Sequence, residues 1–277
     1  MSGVKRGVVR GAAADGTVWS AVAGGASDAG DVGAAGAAGA EGVVRGGAGV
    51  VRGAAGGAAG IAPRTAKDKV VVINGSPKHR DSTCGKLIEE LGRIAGSPFE
   101  TYQVLSLLRE DRYNWLDEVG TLVMVLPLYV DALPSPVVQL LTRLEPMIQT
   151  LPHKPRLFVL CVCGFYEAEH TKTALRILHN FADRAGLRWI YGIGLGSGGF
   201  VVAAKDMAVG PTKQVHVVLS DFVSDIKQPG EHPLLDIFQT PRIPRVLYAK
   251  GGNYDWRRQA KANGVRGQIK ARPFTTE

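Results

Sequence analysis

Hydroxyl and cationic side chains follow the first β-branched run of the sequence. Residues 69–74 read Lys-Val-Val-Val-Ile-Asn, and the next residues include Ser76, Lys78, Ser82 and Thr83. A helix that begins at about Thr83 would present free N–H groups and the positive end of its dipole, and both attract phosphate. The first loop (residues 74–84) is therefore a candidate phosphate site. The alternative interpretation is a plain strand-to-helix turn in which Ser82 only caps the helix.

Two further loops carry aromatic side chains. The second loop (residues 127–136) reads Pro-Leu-Tyr-Val-Asp-Ala-Leu-Pro-Ser-Pro, a stiff segment that can offer a flat apolar edge to a ring. A rigid connection with Tyr129 packed in the core is the alternative. The third loop (residues 163–170) reads Cys-Gly-Phe-Tyr-Glu-Ala-Glu-His and places two aromatic residues beside a glycine.

Several familiar chemistries do not fit the sequence. The first loop matches neither the ATPase pattern Gly-x-x-x-x-Gly-Lys-Ser/Thr nor the dinucleotide pattern Gly-x-Gly-x-x-Gly. None of Cys84, Cys161 and Cys163 starts a Cys-x5-Arg phosphatase motif, and the histidines lack metal-ligand spacing. No Gly-x-Ser-x-Gly elbow supports a serine nucleophile. We therefore predict no metal and assign no catalytic residue.

The elements around these loops alternate between strands and helices. Strands are predicted at 69–74, 100–106, 119–126, 156–163 and 188–194. Helices are predicted at 83–95, from 134 to about 148, before Gly186, and at 213–227; each of the first three has an apolar stripe. Such alternation predicts an α/β fold with a flavodoxin-like five-stranded parallel sheet, order 2-1-3-4-5, and helices on both faces. In this fold ligands bind beyond the carboxyl ends of strands 1 and 3, where the first and second loops lie.

Composition divides the 277-residue chain into three parts. Residues 1–66 hold 18 of the 36 glycines together with 19 alanines, which predicts a disordered Gly/Ala-rich tail. Residues 67–230 form the predicted flavodoxin-like domain. Residues 231–277 form a basic C-terminal extension, and its part from Arg242 onwards carries a net charge of +7. Because the positive charge lies in the tails, we do not expect nucleic acid as a partner.

The three loops together resemble the flavodoxin-like NAD(P)H-dependent FMN reductase family. Val-Val-Val-Ile-Asn-Gly-Ser-Pro resembles its phosphate loop, Pro-Leu-Tyr-Val-Asp-Ala-Leu-Pro-Ser its isoalloxazine loop, and Cys-Gly-Phe-Tyr-Glu the loop that flanks the same ring. The resemblance runs from about Val70 to Gly264 and includes a C-terminal extension found in one subgroup. It implies a non-covalent FMN. The residues it implies are Ser76, Lys78, Ser82, Thr83 and the backbone of Cys84 for the phosphate, and Pro127, Leu128, Tyr129, Val130, Asp131, Cys163, Gly164, Phe165 and Tyr166 for the ring.

The resemblance also implies a function. It predicts an FMN-dependent oxidoreductase that passes hydride from NADPH or NADH through the flavin to a quinone, a nitro or azo compound, a flavin or a protein acceptor. The alternatives are a flavodoxin-like electron carrier and a non-enzymatic binding module that uses its basic tails. The resemblance further implies a homodimer, whereas contact of the C-terminal tail with a membrane surface is an alternative role for that tail. Three cysteines and the lack of a long apolar stretch predict a cytoplasmic protein.

Overall fold

The computed structural model describes residues 69–78, 81–228 and 235–271, and its sheet contains six parallel strands. The strands are β1 (Lys69–Asn74), β2 (Glu100–Gln103), β3 (Val119–Pro127), β4 (Arg156–Val162), β5 (Arg188–Leu195) and β6 (Ile237–Gln239). Their order is β2-β1-β3-β4-β5-β6, and every neighbouring pair is parallel. The first five strands follow the flavodoxin-like order, which confirms the predicted fold class. The predicted tail at 1–66 lies outside the described residues, as do His79 and Arg80 of the first loop.

Seven α-helices accompany the described strands. They are α1 (Thr83–Ala95), α2 (Val104–Glu110), α3 (Ser135–Thr150), α4 (Lys172–Ala185), α5 (Gly198–Ala203), α6 (Lys213–Lys227) and α7 (Arg245–Ala262). Short 3-10 helices occur at Asn114–Glu118, Ala168–Thr171, Gly210–Thr212 and Arg266–Gln268. Helices α1, α5 and α6 cover one face of the sheet, and α2, α3 and α4 cover the other. Every described residue belongs to one compact unit of the chain.

The central strands are apolar on both faces because both faces are covered. In β3, Leu122 and Met124 pack with α3 and α4, while Val123 and Val125 pack with α1 and α6. All four side chains are fully buried. This alternation explains the continuous apolar run in the sequence, which is typical of a parallel sheet between two helix layers. This packing fixes the carboxyl ends of β1, β3 and β4 relative to one another.

Helix α1 shows how local sequence sets the ends of an element. The Ser82 hydroxyl accepts a hydrogen bond from the Gly85 N–H at 2.9 Å, so Ser82 is the N-cap. Gly96 ends the helix in the left-handed conformation, with φ of 76°, which glycine adopts without steric cost. Between them, Leu87 and Leu91 are fully buried against the sheet. The predicted bounds of this helix are confirmed.

Two predictions about the elements are corrected. The second strand was predicted to reach Ser106, but β2 ends at Gln103 and the chain continues as α2, where Val104 and Leu107 are buried one turn apart. The sheet was predicted to have five strands, but β6 extends it beside β5. Asp236 stabilises this edge because its carboxylate accepts the Gly192 N–H at 2.7 Å. Part of the predicted C-terminal extension therefore belongs to the sheet.

The rest of the C-terminal extension is dominated by α7. None of its residues is buried, and Tyr254 and Trp256 are 72% and 49% exposed. At 100° per residue these two side chains point in nearly opposite directions, so α7 lacks a single apolar face. Within the described ranges, no helix is both long and apolar enough to cross a lipid bilayer.

Candidate functional site

A cleft opens at the carboxyl ends of β1, β3 and β4. It has a volume of about 100 Å³. Ten of the residues predicted from sequence line it, and they come from all three loops: Ser76, Lys78, Ser82, Thr83, Cys84, Pro127, Leu128, Tyr129, Cys163 and Gly164. This volume is below the ~300–1,000 Å³ usual for ligand pockets. A nucleotide-sized ligand would therefore lie partly outside it, or the loops would have to separate.

A larger groove of about 680 Å³ lies beside α1 and the edge strand β2. It is lined by Asn74, Gly85, Ile88, Glu89, Gly92, Arg93, Gly96, Ser97, Pro98, Phe99, Thr101 and Gln103. It lies at the edge of the sheet, away from the ends of β3 and β4, and no residue of the second or third loop lines it. The smaller cleft lies where all three loops converge at the carboxyl ends of the strands, so it is the better candidate for a functional site.

The first loop supplies donors for an anion. The Ser76 N–H donates to the Asn74 side-chain oxygen at 3.0 Å, and the Lys78 N–H donates to the Ser76 hydroxyl at 3.3 Å. These bonds fold the loop back over the strand end and hold Ser76 at the cleft. Helix α1 begins there with no acidic residue in its first turn. The positive end of its dipole therefore faces the cleft without a neutralising carboxylate in that turn.

Cys84 contributes its backbone to the cleft and its side chain to the core. The thiol is fully buried between α1 and the sheet, and burial raises its pKa far above the ordinary range. A protonated thiol in an apolar layer is neither a nucleophile nor a metal ligand. The N–H of Cys84 belongs to the first turn, where backbone donors lack partners within the helix. This placement fits the expectation that Cys84 acts through its backbone.

The second loop closes one side of the cleft with a tight turn. The Tyr129 N–H donates to the Ala132 carbonyl at 2.9 Å, and the Ala132 N–H donates to the Tyr129 carbonyl at 3.1 Å. Val130 and Asp131 form the tip of the turn, with φ of 49° and 59°. Positive φ at both central residues is the geometry of a two-residue hairpin. A β-branched valine rarely adopts it.

Tyr129 also joins the second loop to the first. Its hydroxyl interacts with the Ser76 side chain, and burial raises the pKa of the phenol. Both hydroxyls belong to residues that line the cleft.

Four of the predicted ring residues do not line the cleft. Val130 and Asp131 lie at the exposed turn tip, because the turn directs the chain away from the cleft after Tyr129. Phe165 packs against His170 with ring centroids 4.4 Å apart and the rings tilted by 32°. The Tyr166 hydroxyl donates to the Ile243 carbonyl at 2.6 Å. The structure thus directs the aromatic side chains of the third loop towards other parts of the protein, and it is Cys163 and Gly164 that border the cleft.

Three residues that line the cleft were not predicted: Val162, Gly198 and Gly199. The Gly198 N–H donates to the Cys163 carbonyl at 2.9 Å, so the start of α5 packs directly on the end of β4. A Cβ atom at position 198 would overlap the Val162 side chain. The run of glycines after β5 is the signal in the sequence, since it is typical of a close approach between two segments. Which segments approach each other depends on the fold.

The arrangement favours binding over acid–base or nucleophilic chemistry. One end of the cleft offers hydroxyls and N–H donors to an anion, and the other end offers Pro127, Leu128 and Tyr129. Burial raises the pKa of the Cys163 thiol to about 11, so this thiol is protonated at neutral pH. No group of three or more His, Cys, Asp or Glu side chains with metal-binding geometry occurs within the described part of the chain.

The strand order and the two helix layers define the class of fold: a flavodoxin-like α/β fold with a cleft at the carboxyl ends of the strands. Comparison with known proteins finds similarity at the level of structure alone. No protein-family model matches the chain, and no curated protein matches it in sequence.

Solved structures of several flavoproteins resemble the chain. General stress protein 14 of Treponema denticola, in complex with FMN, is 11% identical, with 57% of this chain and 99% of that chain covered and a TM-score of 0.43. The apo form of the NADH:FMN oxidoreductase EMOB is 17% identical, with 60% and 94% covered and a TM-score of 0.42. Oxidised flavodoxin 1 from Bacillus cereus is 11% identical, with 57% and 96% covered and a TM-score of 0.40. The flavodoxin-like assignment itself follows from the strand order.

Proposed function

We propose that the protein is an FMN-dependent oxidoreductase that uses NADPH or NADH. The observation that carries this proposal is the cleft itself. It joins the first turn of α1 and three hydroxyl side chains, those of Ser76, Ser82 and Thr83, to an apolar and aromatic wall at the switch point of the sheet. A phosphate ester that carries a planar ring matches both ends of this cleft.

The residues at the α1 end fit a phosphate group. The Ser82 oxygen accepts the Gly85 N–H, and its own proton remains able to donate to an anion. Thr83 adds a second hydroxyl, and Lys78 adds a positive charge at the rim. Hydrogen bonds from neutral and charged donors to a phosphate oxygen are the stronger kind, because the acceptor is ionised.

The residues at the other end fit a planar ring. Pro127 and Leu128 are buried, and the Leu128 N–H donates to the Val162 carbonyl at 2.8 Å, which fixes the wall against β4. A Cβ atom at Gly164 would meet no other atom within 4 Å, so the cleft is open above this residue. The ring would lie between the second loop and the backbone of Cys163 and Gly164.

A bound FMN would supply the transfer of two electrons from a reduced nicotinamide to an acceptor such as a quinone, a nitro or azo compound, a free flavin or a protein. The protein's own part is to bind, to orient and to exclude water from one face of the ring. Backbone N–H groups of the second and third loops would stabilise negative charge near the ring. We assign no proton donor among the side chains of the cleft, because burial raises the pKa of the Cys84 and Cys163 thiols and neither loses its proton at neutral pH.

An absorbance titration tests the proposal. Purified full-length protein is reconstituted with FMN, freed of excess, and mixed anaerobically with NADPH and then with NADH. We expect a bound oxidised-flavin spectrum that bleaches with at least one of the two. Flavin that stays bound but is not bleached by either would replace this proposal by the electron-carrier alternative. Failure to bind FMN after reconstitution would refute both.

A further inference from the structure

The segment that follows β6 packs on the third loop. The Ala168 N–H donates to the Thr240 hydroxyl at 3.1 Å. The Tyr166 hydroxyl donates to the Ile243 carbonyl at 2.6 Å. Arg245 and Glu167 form an ion pair at 3.0 Å. The third loop is therefore held from outside by a part of the chain more than 70 residues further along.

Tyr248 in the first turns of α7 makes the contact nearest the cleft. Its hydroxyl donates to the carbonyl of Gly164, which lines the cleft, at 2.5 Å. Its ring lies against Tyr166, with centroids 5.5 Å apart. Burial raises the pKa of the Tyr248 phenol. The hydroxyl therefore remains a donor at neutral pH.

The Gly164 carbonyl is thereby fixed in direction. A glycine has a wide range of backbone conformations, and no side chain restrains this one. With its carbonyl held by Tyr248, the peptide group between Gly164 and Phe165 keeps its N–H and C=O directions constant beside the cleft. Ser197 reinforces the same wall, because its N–H donates to the Phe165 carbonyl at 2.5 Å.

These contacts are not part of the hydrophobic core. No residue of α7 is buried, and Tyr248 itself is only half-buried. The strands that form the cleft have their own apolar layers on both faces. Loss of one hydroxyl at position 248 should therefore leave the folded body intact and change only how firmly the Gly164 peptide is held.

We propose that Tyr248 is a positioning residue of the cofactor site, which makes the C-terminal segment a functional part of that site. By holding the Gly164 carbonyl, Tyr248 presents a fixed backbone surface to the ring of FMN and so raises flavin affinity and sets the reduction potential. This inference rests on the proposed function, because it presupposes that the cleft binds FMN.

The test compares Tyr248→Phe with Tyr254→Phe in the full-length chain. Tyr254 lies on the same helix and is 72% exposed, so its variant removes a phenolic hydroxyl without touching the cleft. The measurements are the Kd for FMN by quenching of flavin fluorescence, the midpoint potential of the bound flavin, and Tm without flavin. Because one hydrogen bond contributes about 0.5–1.5 kcal/mol, the Tyr248→Phe Kd should rise about 2- to 12-fold.

The outcomes separate this inference from the proposed function. A higher Kd and a shifted potential in Tyr248→Phe, with Tm unchanged and Tyr254→Phe equal to wild type, would support the inference. If both variants bind FMN with the wild-type Kd and potential, the positioning role is wrong and the proposed function stands. If Tyr248→Phe lowers Tm alone, its role is structural only, which also overturns the inference. If the wild-type protein does not bind FMN, the proposed function is wrong, and this inference is wrong with it.

Discussion

Substitutions at Ser82 would separate the stability of α1 from anion binding at its N-terminus. The Ser82 hydroxyl caps the helix by accepting the Gly85 N–H at 2.9 Å, and the same residue lines the cleft. Aspartate and asparagine cap helices as well as serine does, whereas alanine does not. Aspartate adds a negative charge and asparagine does not. The three variants Ser82→Ala, Ser82→Asn and Ser82→Asp therefore vary cap and charge independently.

The expected magnitudes follow from these two effects. Loss of the cap in Ser82→Ala costs about 1 kcal/mol of unfolding free energy, which lowers Tm by about 2–4 °C in a domain of this size. Ser82→Asp keeps the cap and should keep Tm. However, its carboxylate would lie roughly 4 Å from a phosphate bound at the helix N-terminus, where each pair of unit charges repels by about 4 kcal/mol at an effective dielectric constant of 20. This repulsion weakens FMN binding by about 1,000-fold.

The assay is a fluorescence titration with FMN beside a thermal unfolding curve for each variant. We expect Ser82→Asn to resemble wild type in Tm and to bind FMN within about tenfold of it, since it lacks only the hydroxyl donor. Ser82→Asp should retain Tm and lose FMN. If Ser82→Asp binds FMN as wild type does, no phosphate lies at the start of α1 and the assignment of the first loop is wrong.

Three further predictions concern other parts of the structure. Val130→Gly at the turn tip should raise the unfolding free energy by about 1 kcal/mol, because glycine removes the steric strain of a β-branched side chain in the left-handed conformation. An unchanged or lower unfolding free energy, measured by urea denaturation, would show that Val130 is not strained. Arg156 lies at the end of the strands opposite the cleft, where its guanidinium donates to the Thr121 hydroxyl and to the Gln228 carbonyl. Arg156→Met should therefore lower the unfolding free energy by about 3 kcal/mol and leave the Kd for FMN unchanged. A higher Kd for FMN with an unchanged unfolding free energy would contradict this prediction. Burial raises the pKa of the Cys163 thiol from 9.0 to about 11, so its contribution to stability is complete below pH 9.0 and declines as the pH rises towards 11. Between these pH values Tm should therefore fall less steeply in Cys163→Ala than in the wild type. Equal slopes of Tm against pH in the two proteins would contradict this prediction.

The regular elements could be predicted because burial of one or two faces of a helix or strand imposes a regular spacing of apolar residues on its sequence. Helix α1 is marked by Ser82 at its start, Gly96 after its end and apolar residues at helical spacing between them. Strand β3 is marked by an apolar run too short for a helix. These signals are local, and the predicted strand order follows once strands and helices alternate.

The elements that were missed depend on partners distant in sequence. Strand β6 has three residues and exists because β5 offers an open edge to Ile237–Gln239. Helix α5 begins with Gly198 and Gly199, which intrinsic propensity disfavours in a helix, and it is held by the end of β4. The sequence of α2 is rich in leucine and extends a strand-like run, so its first residues were predicted as strand.

The candidate site was predictable in part for the same reason. Parallel strands bring the loops after their carboxyl ends together, so the convergence of the first, second and third loops could be expected. The direction of each side chain within a loop could not, since the turn at Val130 and the docking of Tyr166 on the C-terminal segment depend on backbone conformation and on contacts across the fold. Gly164 is the clearest case, because its carbonyl is held by Tyr248 from the far end of the chain.

Calorimetric titration of the full-length protein with FMN and, separately, with riboflavin is the most direct test of the central claim. The two ligands share the isoalloxazine ring and differ by the phosphate. A flavin site with its phosphate at the start of α1 predicts tight binding of FMN and binding of riboflavin weaker by about 100-fold, the effect of losing two charge-assisted hydrogen bonds at the lower end of their range. Equal affinity for the two ligands, or no heat of binding with either, would contradict the account.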